Sequence, residues 1–164
     1  MRMSNEKSDL TPVCVGPDGG ETVFLVGDTY TILLSGEQTG GAFTLLEAIV
    51  PPDTGPPPHH HNAEDETFIL LEGKVTFHVG NQVIDASPGT TVFVPRGVVH
   101  SFKNTDSGLA KMLFMYNPPG MEGMFTEIGH PGTRNVQAPP LSMADVEAMI
   151  AVSGKYRFTI VPPE

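Results

Sequence analysis

Gly55–Gly73, GPPPHHHNAEDETFILLEG, and Gly89–Asn104, GTTVFVPRGVVHSFKN, decide how this chain is read. The first stretch carries His59, His61 and Glu66, and the second carries His100. Side chains alternate across a strand, so His59 and His61 share a face and His60 turns to the other. Glu66, Phe68 and Leu70 share parity too, which sets a carboxylate at the head of an apolar, inward-facing row. A carboxylate buried alone is costly, and a bound cation compensates it. Behind the turn Pro95-Arg96-Gly97, Val98, His100 and Phe102 lie on one face. A single histidine on an apolar face is usually a core residue, and a triple-His run is usually a solvated tract. The conjunction is what points to a metal. Three imidazoles and one carboxylate complete a protein ligand set for one divalent transition ion, whether Fe, Mn, Ni, Co, Cu or Zn.

Outward from these stretches the chain is built of short β-type runs set off by turn residues. They are Glu21–Val26, Tyr30–Leu34, Ala42–Val50, Thr67–Leu71, Lys74–Val79, Gln82–Ala86, Thr91–Val94, His100–Asn104 and Ala110–Tyr116. Regular short strands with Gly and Pro punctuation predict an all-β sandwich or barrel. Gly80-Asn81 is a two-residue hairpin signal. Pro51, Pro52, Pro56, Pro57 and Pro58 make a stiff approach to His59. One helix is expected at about 142–153, with Ser142 at the N-cap, Asp145 at N3 and Gly154 at the C-cap. It should pack on the outside of the barrel. Tyr156–Ile160 alternates like a strand, and 117–140 looks irregular.

The chain is similar to the cupins. Gly89-x5-Pro95-x-Gly97-x2-His100-x3-Asn104 matches the second cupin motif at every specified position. His59, His61, Glu66 and Gly73 match the first, G-x5-H-x-H-x4-E-x6-G, with Asp53 standing where its leading glycine belongs. The 15 residues from Lys74 to Pro88 separate the motifs, as in small bacterial cupins. The likeness runs over about 28–130 and is nearest to quercetin 2,3-dioxygenase-like members. It implies a double-stranded β-helix (jelly-roll) barrel with the C-terminal helix added, and His59, His61, Glu66 and His100 as ligands of one metal ion. It also implies a metal-dependent dioxygenase acting on a small aromatic or enediol substrate, with Glu66 handling a proton. Cupins include isomerases, cyclases and decarboxylases as well as non-catalytic binding modules, so the fold does not decide the chemistry.

The totals bound the rest. With 164 residues, one domain over 13–164 is expected, with a flexible N-terminal stretch at 1–12 and a barrel core at about 28–116. A formal net charge of −10 argues against nucleic acid and anionic membrane as partners. The single Cys14 excludes an intramolecular disulfide and reads as a buried free thiol. MRMSNEKSDL lacks the apolar core of a signal peptide, and no apolar run could span a bilayer, so a cytoplasmic protein is the expectation.

Phe68, Leu70, Phe77, Phe93, Phe102, Met112, Phe114 and Met115 supply apolar surface for the barrel. Of these, Phe68, Leu70, Phe102 and Phe114 are the candidates to line a substrate pocket. His78 and His130 read as surface or structural residues. A homodimer is expected through an outer sheet face carrying Val13, Val15 and Phe24.

Overall fold

The computed structural model describes residues 10–162. In chain order the first strands are β1 (Glu21–Leu25), β2 (Asp28–Leu34), β3 (Thr44–Val50), β4 (His59–His61), β5 (Asp65–Glu72) and β6 (Val75–Val79). There follow β7 (Gln82–Ala86), β8 (Thr91–Val94), β9 (His100–Asn104), β10 (Ala110–Asn117) and helix α1 (Glu122–Ile128). The chain closes with β11 (His130–Pro131), α2 (Met143–Val152) and β12 (Phe158–Ile160). Two antiparallel sheets face each other, in the orders β11-β1-β2-β3-β10-β5-β8 and β12-β4-β9-β6-β7. This is the expected all-β cupin sandwich.

Alternation fills the space between the sheets. Glu66, Phe68 and Leu70 are buried on β5, and His100 and Phe102 on β9, as their parity requires. Phe68 lies at the centre of an aromatic cluster, 5.2 Å from Phe77, 5.8 Å from Phe102 and 6.1 Å from Phe114 between ring centroids. Phe93 breaks the expectation for the core. It sits between the buried Val92 and Val94, so it points outward and is 58% exposed. Cys14 precedes β1 in irregular chain and is exposed, which corrects the reading of a buried thiol.

The turns follow from local chemistry. Gly80 takes φ 56° and Asn81 does not join it at positive φ, so only the first central residue of the hairpin is left-handed, as in a type II′ turn. Asp53, in the place of the motif's leading glycine, adopts φ 63°, a conformation short polar residues tolerate. Two residues on, Gly55 is required, because an added Cβ would sit 1.9 Å from the Phe102 carbonyl oxygen. The proline-rich approach thus lies directly on β9. Asn104 fastens it there: its backbone exchanges hydrogen bonds with 53–54, and its buried amide donates to the Val50 and Gly108 carbonyls, both at 2.8 Å.

Ser142 and Asp145 form the expected capping box of α2, though Ser153 rather than Gly154 is its C-cap residue. The helix is exposed or half-buried along most of its length, and its buried Met149 lines the internal cavity. Helix α1 arises within the stretch expected to be irregular. Of the N-terminal stretch expected to be flexible, 1–9 lie outside the described residues, and 10–12 are exposed coil. No helix among the described residues is long and apolar enough to cross a membrane.

Candidate metal centre

Strands β4, β5 and β9 bring His59, His61, Glu66 and His100 together, with one donor atom from each inside a cluster no wider than 4.8 Å. His59 pairs with His100 across β4 and β9, and their rings are 4.4 Å apart. Glu66 reaches the cluster from the facing sheet, with its Oε2 2.9 Å from His100 Nε2 and 3.3 Å from His61 Nε2. His60 turns away and lies opposite Thr159.

Backbone carbonyls set the tautomers. His59 Nδ1 donates to the Pro57 carbonyl at 2.8 Å, and His100 Nδ1 donates to the Val98 carbonyl at 2.9 Å. A carbonyl only accepts, so both Nδ1 atoms carry the proton and both Nε2 lone pairs are turned toward the cluster. The proline-rich approach and the 95–97 turn supply those carbonyls, which gives both motifs a physical task.

Electrostatics suit a cation. Loss of water, and then the neighbouring His100 and His61, lower the His59 pKa to about 3, so its imidazole stays neutral and free to coordinate. Burial opposes ionisation of Glu66, but the hydrogen bond with His100 and the close approach of His61 outweigh it and hold the carboxyl far below the usual range. Burial likewise opposes protonation of His100, and its contact with Glu66 overcomes this and raises its pKa. A bound cation would take the place of that contact between His100 and Glu66.

The donors also fit an ion in geometry. Two donor atoms each about 2.1 Å from one ion, at a right angle, lie about 3 Å apart. The observed 2.9 and 3.3 Å match that spacing. His61 Nδ1 and Nε2 are buried without a hydrogen-bond partner, a costly state for an imidazole that coordination by Nε2 would relieve in part.

The cluster opens onto a narrow cavity of about 60 Å³. Phe68, Phe102 and Phe114 line it as expected, but Leu70 does not. Leu70 keeps the inward parity, yet four residues along β5 carry it about 13 Å from Glu66, into the solid core beside Met112. The sequence reading missed the two phenols in the wall, Tyr30 and Tyr116. Tyr116 lies opposite Glu66 on β10, with its ring 5.1 Å from that of His61. Tyr116 shares strand parity with Phe114, which is the signal in the sequence that points it inward. Burial, then the Glu66 charge, pushes its phenol well above the ordinary range.

Behind Tyr30 sits Asp28, only 1% exposed, accepting hydrogen bonds from the Tyr30 phenol at 3.1 Å and the Thr54 hydroxyl at 3.0 Å. Burial raises its carboxyl to about 7 against those bonds. Between about pH 4 and 7 the folded chain therefore keeps the Asp28 proton while the unfolded chain gives it up. Stability from this group is whole below pH 4 and falls as pH rises toward 7. Asp28→Asn should remove that loss, so denaturation should show the variant gaining on the parent across the window, by at most roughly 4 kcal/mol at about 1.4 kcal/mol per pKa unit. A constant difference from pH 4 to 7 would contradict it.

A family model for the Cupin domain matches residues 46–116. The quercetin 2,3-dioxygenase of Bacillus subtilis strain 168 is 31% identical over 125 residues, covering 70% of this chain and 37% of that enzyme. An uncharacterised protein of Streptomyces coelicolor is 32% identical over 58 residues, which are 35% of this chain and 54% of that one. The chain thus spans between a third and just over half the length of these relatives. Among solved structures, a predicted oxalate decarboxylase of Thermotoga maritima superposes with a TM-score of 0.60 at 21% identity, covering 65% of this chain and 99% of that one.

Proposed function

This chain carries a cupin domain, and from that premise we propose that it is a metal-dependent enzyme that uses dioxygen to oxidise a small, metal-chelating aromatic or enediol substrate. The observation that carries the reading is the four-donor cluster opening directly onto an aromatic cavity. The likeness to the Bacillus subtilis dioxygenase supports it.

In this reading His59, His61, Glu66 and His100 hold one transition ion. When bound, the ion supplies Lewis acidity and a path for electrons between substrate and dioxygen. Phe68, Phe102 and Phe114 flank a planar substrate and keep bulk water away from it. The Glu66 carboxylate, kept ionised by its neighbours, accepts the proton of the substrate hydroxyl. A redox-neutral isomerase built on the same donors, with Glu66 as its single base, is the second reading, and oxygen uptake separates the two.

Metal analysis of untagged protein should find one transition ion per chain. Protein loaded in turn with Fe, Mn, Ni, Co and Cu should consume oxygen with at least one flavonol, diketone or catechol. Oxygen uptake with none of them would reject the dioxygenase in favour of an isomerase or a binding protein.

We also propose a homodimer. Pairing of Val23 and Phe24 with β11 covers the edge of β1, so this edge needs no partner chain. Exposed apolar residues on the strands include Ile69 and Leu71 on β5, Val83 on edge strand β7 and Phe93 on edge strand β8. A monomeric mass in solution at micromolar concentration would exclude the dimer.

A further inference from the structure

The cavity wall is not made by the barrel alone. The Cupin domain match ends at residue 116, and the Thermotoga maritima structure is accounted for almost whole by 65% of this chain. Yet Met121, Met124, Phe125, Met149, Phe158 and Ile160, all beyond 116, line the cavity. Strand β12 is the element nearest the donors. It pairs with β4 so that Phe158 faces His61, Thr159 faces His60 and Ile160 faces His59. Alternation then directs Phe158 and Ile160 into the cavity beside the two ligand histidines, and Thr159 away from it. The Phe158 ring is 6.3 Å from that of His61.

The segment is fastened at both ends of this contact. Asn62 N donates to the Arg157 carbonyl and Val161 N to the Pro58 carbonyl, each at 2.8 Å. Arg157, held at φ 55°, places its guanidinium 3.0 Å from Oε1 of the buried Glu64, between the ligands His61 and Glu66 in the chain. Without β12, β4 would be an edge strand of its sheet.

We propose that the segment from α2 to β12 is the specificity element of this site, with Met149, Phe158 and Ile160 setting how large a metal-chelating molecule it admits. This rests on the reading above, in which the four donors hold an ion that a small molecule can reach. A cavity of about 60 Å³ is small beside a fused ring system, so these side chains decide by bulk. The barrel aromatics Phe68 and Phe114 stack on one another on the other side of the cavity wall, 6.1 Å apart between ring centroids.

The test compares two hydroxamates that present the same chelating group, acetohydroxamate and 2-naphthohydroxamate. The full chain is loaded with Co(II), and binding of each is followed by the visible cobalt spectrum. The ratio of the two dissociation constants isolates size from metal loading. Phe158→Ala and Ile160→Ala should each shift that ratio at least tenfold toward the naphthyl compound, and Met149→Trp at least fivefold away from it. Should Phe158→Ala loosen β4 and lose cobalt, Ile160→Ala and Met149→Trp still decide the matter. Ratios within twofold of the parent in both would overturn this inference and leave the metal reading intact. If neither hydroxamate perturbs the cobalt spectrum of the parent, the ion is closed to small molecules, and both readings fall.

Discussion

Replacing His100 with alanine is expected to lower metal affinity by about 100-fold or more, and His61→Ala by a similar amount, while His60→Ala stays within about twofold. The three side chains differ in where the strands point them, and not in chemistry. His61 and His100 are 3% exposed with Nε2 turned to Glu66, whereas His60 lies on the opposite face of β4 against β12. Removing His100 also removes the partner that holds the Glu66 carboxyl low, so the remaining carboxylate is buried with less compensation. Competition against a chromophoric chelator, with metal content measured on the same samples, separates the outcomes. If His60→Ala emptied the site and His61→Ala left it full, the register of β4 would be wrong by one residue.

Much of the fold could be read from the sequence because its signals are local. Strands β7, β8 and β9 fall where alternation and flanking turns put them, and Gly80 supplies the turn conformation its position demands. The ligand cluster was legible for the same reason: period-two alternation orients His59, His61, Glu66 and His100 without knowledge of the sheets. Asp53 shows the limit of motif matching. The backbone needs a left-handed residue there, and an aspartate meets that need without being glycine.

What escaped depends on contacts distant in sequence or on weak local signals. Helix α1 is only 7 residues long, contains Gly123, and has no side-chain cap at Met121, so nothing announces it. The destination of α2 depends on β12 finding β4 across nearly a hundred residues, and alternation in 156–160 does not name the partner. Leu70 was placed in the pocket because parity fixes a face and not a depth. Phe93 shows that composition does not decide burial, since its parity is opposite to that of the buried Val92 and Val94.

Glu66→Gln is expected to cost more in turnover than in metal: about a 10-fold loss of affinity, against roughly 100-fold or more in kcat at full metal loading. Glutamine keeps the length of the side chain and an oxygen able to coordinate, so three imidazoles and a weaker fourth donor still hold the ion. It cannot hold the substrate proton, and no other group beside the donors can take over. Tyr116 is a phenol pushed to hold its proton more firmly, and the Asp28 carboxyl is turned to Tyr30 and Thr54 and does not line the cavity. The comparison must be made at metal saturation, with bound metal measured in the assayed sample, because loss of the ion would imitate loss of the base. A substrate already ionised at the assay pH offers a second arm: it arrives without the proton, and the variant should recover most of its deficit on it. Equal losses of metal and of activity, with no recovery on the ionised substrate, would make Glu66 a ligand only. The proton would then have to leave through the substrate's own coordination to the ion.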